Sequence, residues 1–303
     1  MDASPLAAAR RPGWPPQTTS AAALPSHSLE WSAARADLAE RARERGIEPV
    51  TLGLDDDLAA LVADAADGGA DALGVAGGDG SLAIGAAASA QRDLPFICLP
   101  GGTRNHFALD LGIVRRDLIG SLDAFTVGVE RRVDVAEANG RLFLNNVSLG
   151  VYGDAVQRPE YRGAKARTIL ATADEVLTAT APIPAMHIAD DAGHQHDTPL
   201  VVLISNNPYA LDKPLVQGSR PGLDTGRLGI IVVDRPDTRP PPVSAWTASS
   251  VDVSASAPLL GGLDGEAITL LPPVRFTIRS KALRVRISAH HSGISPAALV
   301  SAR

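Results

Sequence analysis

Two apolar runs, each ending in a glycine-rich turn and followed by a segment able to form helix, constrain this chain more than any other feature. The first is Ala72-Leu73-Gly74-Val75-Ala76-Gly77-Gly78-Asp79-Gly80-Ser81, with helix-compatible residues Leu82 to Ala90 behind it. The second runs through Phe96-Ile97-Cys98-Leu99 into Pro100-Gly101-Gly102-Thr103, then Arg104 to Leu111. Strand, tight turn and helix in repetition predict a parallel sheet with helices packed on it, and ligands at the carboxyl ends of its strands. Glycines let a backbone approach a ligand closely, and a helix start offers free N–H groups to anionic oxygens. A carboxylate at Asp79 would repel a bare phosphate. It fits if a cation accompanies the phosphate, so the pattern predicts a nucleotide-phosphate site with magnesium.

The flanking sequence predicts the rest of an α/β domain. Residues 1–28 are rich in Ala, Pro and Ser without periodicity and are expected to form a disordered leader. Trp31, Ala34, Leu38 and Ala42 recur at helical spacing over Leu29 to Arg45, and Gly46 supplies the stop. Ile47 to Leu52 reads as a strand, which Pro49 confines to a sheet edge. A second helix is expected over Asp56 to Asp67. Beyond about residue 130 the rhythm changes to short Val-, Ile- and Leu-rich runs: 133–138, 141–148, 200–205, 228–233, 267–270, 275–279 and 283–288. Only Ala164 to Thr180 reads as helix there. The expected organisation is therefore an α/β nucleotide-binding domain over 29–130 and a mostly antiparallel β-sandwich over 131–303, each of ordinary domain size.

Composition narrows the function classes. A formal net charge of -6 argues against a nucleic-acid partner held by electrostatics. The single cysteine, Cys98, excludes an internal disulfide framework and lies in an apolar run, as a buried structural thiol would. No apolar run approaches the roughly 18 residues that cross a bilayer, and no secretory pattern follows Arg10-Arg11. The reading is a cytoplasmic protein.

In the β-rich half, Leu263-Asp264-Gly265-Glu266 sets two carboxylates either side of a glycine just before a strand. One could take a proton from an attacking hydroxyl while the other steadies a cation; equally, Asp-Gly is a common hairpin turn. Gly193-His194-Gln195-His196-Asp197 has the composition of a metal cluster but reads as a solvated hairpin tip, and His290-His291 as a surface pair. Asn206-Asn207-Pro208-Tyr209, following a strand, reads either as a turn or as a segment lining a binding cleft.

Four blocks in this order resemble the diacylglycerol kinase catalytic-domain family, which includes soluble bacterial lipid kinases and the sphingosine and ceramide kinases. They are Gly77-Gly78-Asp79-Gly80-Ser81, then Pro100-Gly101-Gly102-Thr103-Arg104-Asn105-His106-Phe107-Ala108, then Asn145-Asn146-Val147-Ser148-Leu149-Gly150, and finally Asp264-Gly265-Glu266. The resemblance runs from about Asp55 to about Ser288. It implies a phosphofructokinase-like α/β domain followed by a β-sandwich, with the active site in the cleft between them. It also implies that Gly77, Gly78, Asp79, Gly80 and Ser81 hold ATP phosphates, joined by Gly102, Thr103, Asn105 and the cation Lys165. Asp79 and Asp134 would belong to the Mg2+ network, and Asp264 and Glu266 would be the catalytic pair.

Three departures accompany the resemblance. The family's first Asn-Pro-x-Ser-Gly turn has no counterpart, since Pro25-Ser26-His27-Ser28 stands in that region. His106 stands where many members carry Asp. The loop Leu223-Asp224-Thr225-Gly226 matches the family's metal loop and implies Asp224 as a ligand, with Thr225 where the family places its usual second Asp. The expected activity is ATP- and Mg2+-dependent phosphorylation of a membrane lipid hydroxyl, with transient contact at the membrane surface; a homodimer is compatible with the pattern. The competing readings are a non-catalytic lipid- or nucleotide-binding relative and a sugar or NAD kinase.

Overall fold

The computed structural model describes residues 6–9, 29–53, 55–102, 105–150, 185–212, 218–234 and 243–301. The chain divides into two compact units, the first made of residues 1–133 and 281–296, the second of 134–280 and 297–303. The sequence predicted one crossing near residue 130. The structure instead returns residues 281–296, expected in the sandwich, to the first unit.

In the first unit, β2 (Ile47–Val50), β1 (Leu6–Ala9), β3 (Leu73–Gly77), β4 (Phe96–Pro100) and the 281–288 end of β16 (Val274–Ser288) lie side by side in that order. Strands β3 and β4 are parallel, as are β4 and β16, where Val285 faces Phe96. Strand β1 is antiparallel to both neighbours. Residues 6–9 thus correct the expectation of a wholly unstructured leader: four residues are too few to show a period, yet they close two ladders of backbone hydrogen bonds. Strand β2 pairs with β1 alone, so Pro49 sits on an edge, where its missing N–H costs no ladder bond.

Helices α1 (Leu29–Glu44) and α5 (Leu118–Leu122) pack on the sheet through Leu38, Ala42 and Leu122, which share a core with Ile47, Ala72, Ala76, Ile97 and Leu99. Helices α2 (Leu58–Asp67) and α3 (Asp79–Arg92) contribute buried Val62, Leu82 and Ala86. Asp57 caps α2, its carboxylate accepting from the N–H groups of Ala59 and Ala60. At Gly85 a Cβ would lie 2.5 Å from Val75 Cγ2 and 2.9 Å from Phe96 Cε2, so α3 sits closer to β3 and β4 than any side chain there would permit. Cys98 is buried in β4 as expected, and burial pushes its thiol well above the ordinary range.

The last strand is stitched in by polar groups. Arg284 forks onto Glu130 at 2.8 and 3.1 Å, and Arg131 donates to the carbonyls of Gly293 and Leu111. His291, expected at the surface, is buried beside Ser121, with 3.1 Å between Nε2 and the serine Oγ. The Val114 N–H reaches its Nδ1 at 3.4 Å. Burial holds its pKa below the ordinary 6.5, against the opposing pull of Asp117.

The second unit is a β-sandwich, as predicted. One antiparallel sheet orders β12 (Val243–Ala248), β11 (Leu228–Val233), β10 (Val201–Asn206), β7 (Asn146–Gly150), β14 (Leu259–Leu263) and β15 (Glu266–Leu270). Against it stand β13 (Ser250–Ala255), β8 (Met186–Asp190), β9 (Gln195–Asp197) and the 274–280 part of β16, with the end of β5 (Gly128–Ala138) pairing with β6 (Arg141–Phe143). Alternate residues of both sheets meet in one core that includes Val147, Val202, Ile230, Val251 and Phe276. The expected helix over 164–180 lies outside the described residues. The tip at 193–197 is the exposed β8–β9 hairpin expected from the sequence, with the two histidines resting on its side. Both rings pack on Trp246 with centroids 5.1 Å apart, and Asp190 accepts from Trp246 Nε1 at 2.6 Å.

Candidate functional site

In the first unit the two glycine turns leave adjacent parallel strands at their carboxyl ends and touch each other. A Cβ on Gly102 would sit 2.6 Å from Gly78 Cα, and one on Gly101 would sit 3.0 Å from the Gly77 nitrogen. Backbone meets backbone there, so two of the predicted glycines are demanded by packing. Gly78 differs. Its φ of -79° suits any residue, and a Cβ there would meet nothing within 4 Å among the described residues. Gly78 is the N-cap of α3, it provides no side-chain cap, and among the described residues the space beside it is open.

The sequence predicts the helix from Leu82, whereas α3 begins at Asp79. Asp79, Gly80 and Ser81 are therefore its first turn, where N–H groups point along the axis toward an anion. Asp79 is occupied by the neighbouring turn. Its Oδ2 accepts from the His106 N–H at 3.1 Å and its Oδ1 from the Phe107 N–H at 3.2 Å. Helix α4 (His106–Asp110) has Asn105 as N-cap with φ of 40° and no side-chain cap of its own, so Asp79 caps it from the adjacent element. Asn105, predicted to contact the nucleotide, is buried and closes its own turn. Its Oδ1 accepts from Gly102 N at 3.0 Å, and its Nδ2 donates to Gly102 O at 2.6 Å. Thr103 and Lys165 lie outside the described residues.

In the second unit Asp264 and Gly265 form the two-residue loop between β14 and β15, with Leu263 paired to Glu266. Their φ values of 51° and 88° are those of the hairpin turn that Asp-Gly favours. The turn reading holds, and the loop also aims Asp264 inward. Its Oδ2 accepts from Leu144 N at 2.8 Å, and its Oδ1 from Asn145 N at 2.7 Å and Asn146 N at 3.2 Å. Glu266 is exposed and, among the described residues, takes no hydrogen bond or ion pair.

The predicted metal ligands of this unit are placed differently. Asp134 is fully buried, its Oδ2 accepting from Gly226 N at 2.7 Å, while Asp224 is exposed. Thr225, standing where the resemblance expects Asp, donates from N and Oγ1 to Asn207 Oδ1 at 2.9 and 2.6 Å. Protein groups close this loop, and no set of three or more His, Cys, Asp or Glu side chains among the described residues could hold a metal. Asn206-Asn207-Pro208-Tyr209 is a buried polar hub, not a surface turn: Asn206 Nδ2 donates to the carbonyls of Asp134 and Leu144, each at 3.1 Å. Sequence reasoning missed Arg220, whose guanidinium is fully buried in the same hub. An arginine between Ser219 and Pro221 carries no periodic or motif signal that could have revealed it.

Comparison with known proteins follows the same division. Residues 28–138 match the diacylglycerol kinase catalytic domain. The diacylglycerol kinase of Bacillus subtilis (strain 168) is 35% identical over 77 residues, 25% of this chain and 25% of that protein, so the match spans a quarter of the relative's length. A diacylglycerol kinase structure from Bacillus anthracis str. Sterne superposes with a TM-score of 0.58 at 18% identity, covering 88% of this chain and 94% of that one. A further structure from the same strain gives a TM-score of 0.61 at 21% identity, covering 80% and 86%. At these identities the structures share the fold.

Proposed function

We propose, from the match of residues 28–138 to the diacylglycerol kinase catalytic domain, that this chain is an ATP-dependent lipid kinase of that family. The observation that carries the reading is the start of α3: an N-terminus without a side-chain cap, behind a glycine whose Cβ position is open among the described residues. Helix N–H groups there would bind the phosphates of ATP, and the Gly102 turn packed against Gly78 would hold that backbone in place. Magnesium would arrive with ATP, carried by its phosphates, and neutralise charge on them. No described cluster offers it a site of its own.

The acceptor would be a hydroxyl of a membrane lipid of the diacylglycerol type. Glu266 suits the general base, being exposed and unengaged at a hairpin tip. Asp264 does not, because backbone N–H groups already engage both of its oxygens. Its part would be to fix the tip that presents Glu266. The lipid oxygen would attack the γ-phosphorus in line as Glu266 receives its proton, and ADP would leave. No helix among the described residues is long and apolar enough to cross a membrane, so the protein would meet its substrate at the membrane surface.

The test is magnesium-dependent transfer of labelled phosphate from ATP to a panel of lipids, with the intact chain, Glu266→Gln and Asp264→Asn. Glu266→Gln is expected to lose about 100-fold or more in kcat with ATP affinity retained. No phosphorylated lipid from the intact chain would sink the activity. An unaltered rate in Glu266→Gln would remove that residue from the role.

A further inference from the structure

We infer that Arg220 is a positioning residue for this reaction, orienting Asp264 through the one peptide group that joins Leu144 to Asn145. The inference rests on the lipid kinase reading for its chemistry, although the linkage itself is a matter of geometry. Arg220 Nη1 donates to Leu144 O at 2.6 Å and to Asn206 O at 2.6 Å, and Nη2 donates to Asn145 Oδ1 at 2.8 Å. The guanidinium carbon lies 5.9 Å from the centre of the Tyr209 ring. Leu144 O and Asn145 N–H belong to the same amide. Its oxygen receives the guanidinium at 2.6 Å, while its N–H reaches Asp264 Oδ1 at 2.7 Å. A cation on one side and an anion on the other polarise that amide in the same sense, so each hydrogen bond strengthens the other.

The arrangement also fixes rotation. An amide held at both ends cannot turn about its flanking bonds without breaking a charge-assisted contact. Its neighbours are pinned as well, Leu144 N–H on Asp264 Oδ2 and Asn145 Oδ1 on Arg220 Nη2. Segment 144–146 therefore becomes a rigid seat for the Asp264 carboxylate, and Glu266 stands two residues beyond that seat. Apolar residues of similar volume often serve stability as well as a buried ion does. A planar fork that collects two carbonyls and an amide oxygen supplies direction, which neither leucine nor a lysine ammonium can reproduce.

The experiment uses Arg220→Met, Arg220→Lys, Asp264→Asn and the double variant Arg220→Met/Asp264→Asn in the full chain, each checked for cooperative unfolding in urea. Kinase assays should show kcat for lipid phosphorylation falling about 100-fold in Arg220→Met, the scale of a misplaced reacting group, with ATP affinity within about twofold of the parent. Arg220→Lys should recover part of that loss. In the Asp264→Asn background, Arg220→Met should add less than about threefold, because both changes release the same seat. Amide hydrogen exchange over 144–146 supplies a readout independent of catalysis. It should rise at least about tenfold in Arg220→Met and no further in the double variant. If the parent phosphorylates no lipid, the kinase reading falls, while the exchange cycle still decides whether Arg220 seats Asp264. Multiplicative losses in the double variant, or unchanged exchange over 144–146, would overturn the inference. Should Arg220→Met fail to fold, Arg220→Lys carries the same cycle.

Discussion

Replacing Asp79 by alanine removes both oxygens that receive the N–H groups of His106 and Phe107, at 3.1 and 3.2 Å. These are the first free donors of α4, whose N-cap Asn105 has committed its side chain to Gly102. A hydrogen bond to a charged group contributes about 1.5–3 kcal/mol. Both bonds here are long and only part-buried, so each contributes about 1–1.5 kcal/mol, and the pair amounts to about 2–3 kcal/mol of local stability. At 1.4 kcal/mol per tenfold, amide exchange over residues 105–111 should accelerate about 30- to 150-fold. Asparagine keeps one acceptor and turns an NH2 toward the other donor, so Asp79→Asn should give about tenfold. The measurement is hydrogen–deuterium exchange by mass spectrometry without magnesium or nucleotide, using the peptide over β3 as internal reference. Exchange over 105–111 within twofold of the parent would refute the capping role. It would return Asp79 to a purely cation-holding part, in which case only the ATP- and magnesium-loaded protein should respond.

Gly85→Ala would drive a methyl into Val75 and Phe96. Contacts this short place overpacking at about 2–3 kcal/mol; less about 1 kcal/mol of helix propensity regained, the net should lower the melting midpoint of the first unit by roughly 2–8 °C in calorimetry. His291 is held neutral by burial, so the folded state binds its proton less readily than the unfolded chain does. Its contribution is fully present above the ordinary 6.5 and is lost as pH falls below that value toward the depressed one. Urea midpoints between pH 7.5 and 5 should fall in the parent and fall less steeply in His291→Gln. Equal slopes would exclude His291 as the source, leaving neighbouring His290 and Asp117 to be examined in the same way.

Much of the architecture can be read from local chemistry. Glycine turns after the apolar runs Leu73–Gly77 and Phe96–Pro100 mark the parallel pair, and Pro49 marks an edge. The late runs mark a sandwich. What escaped depends on partners distant in sequence. Residues 283–288 read as one more sandwich strand, because nothing in Leu283-Arg284-Val285-Arg286-Ile287 says which sheet edge it will meet. The pairing of Val285 with Phe96 decides that. Asp79, Asn105 and Asp264 stand out in the sequence, but their contacts are made with backbone groups that carry no residue identity. A motif shows that a carboxylate matters without showing that it is already bonded. Asn206 and Arg220 lack any pattern and become visible only when four separate stretches, around 134, 144, 206 and 220, meet in one hub.

The return of residues 281–296 to the first unit has a consequence for how the protein is made. When the ribosome has released 133 residues, β3 and β4 exist but the neighbour that pairs with β4 does not. The open edge of β4 must wait while the whole sandwich is synthesised, exposing an unpaired ladder of backbone groups during that interval. The first unit to begin is thus the last to be completed, and a chain ended at residue 280 would lack part of the domain that a linear reading places safely upstream. Loss of that late segment should therefore strike the unit that carries both glycine turns.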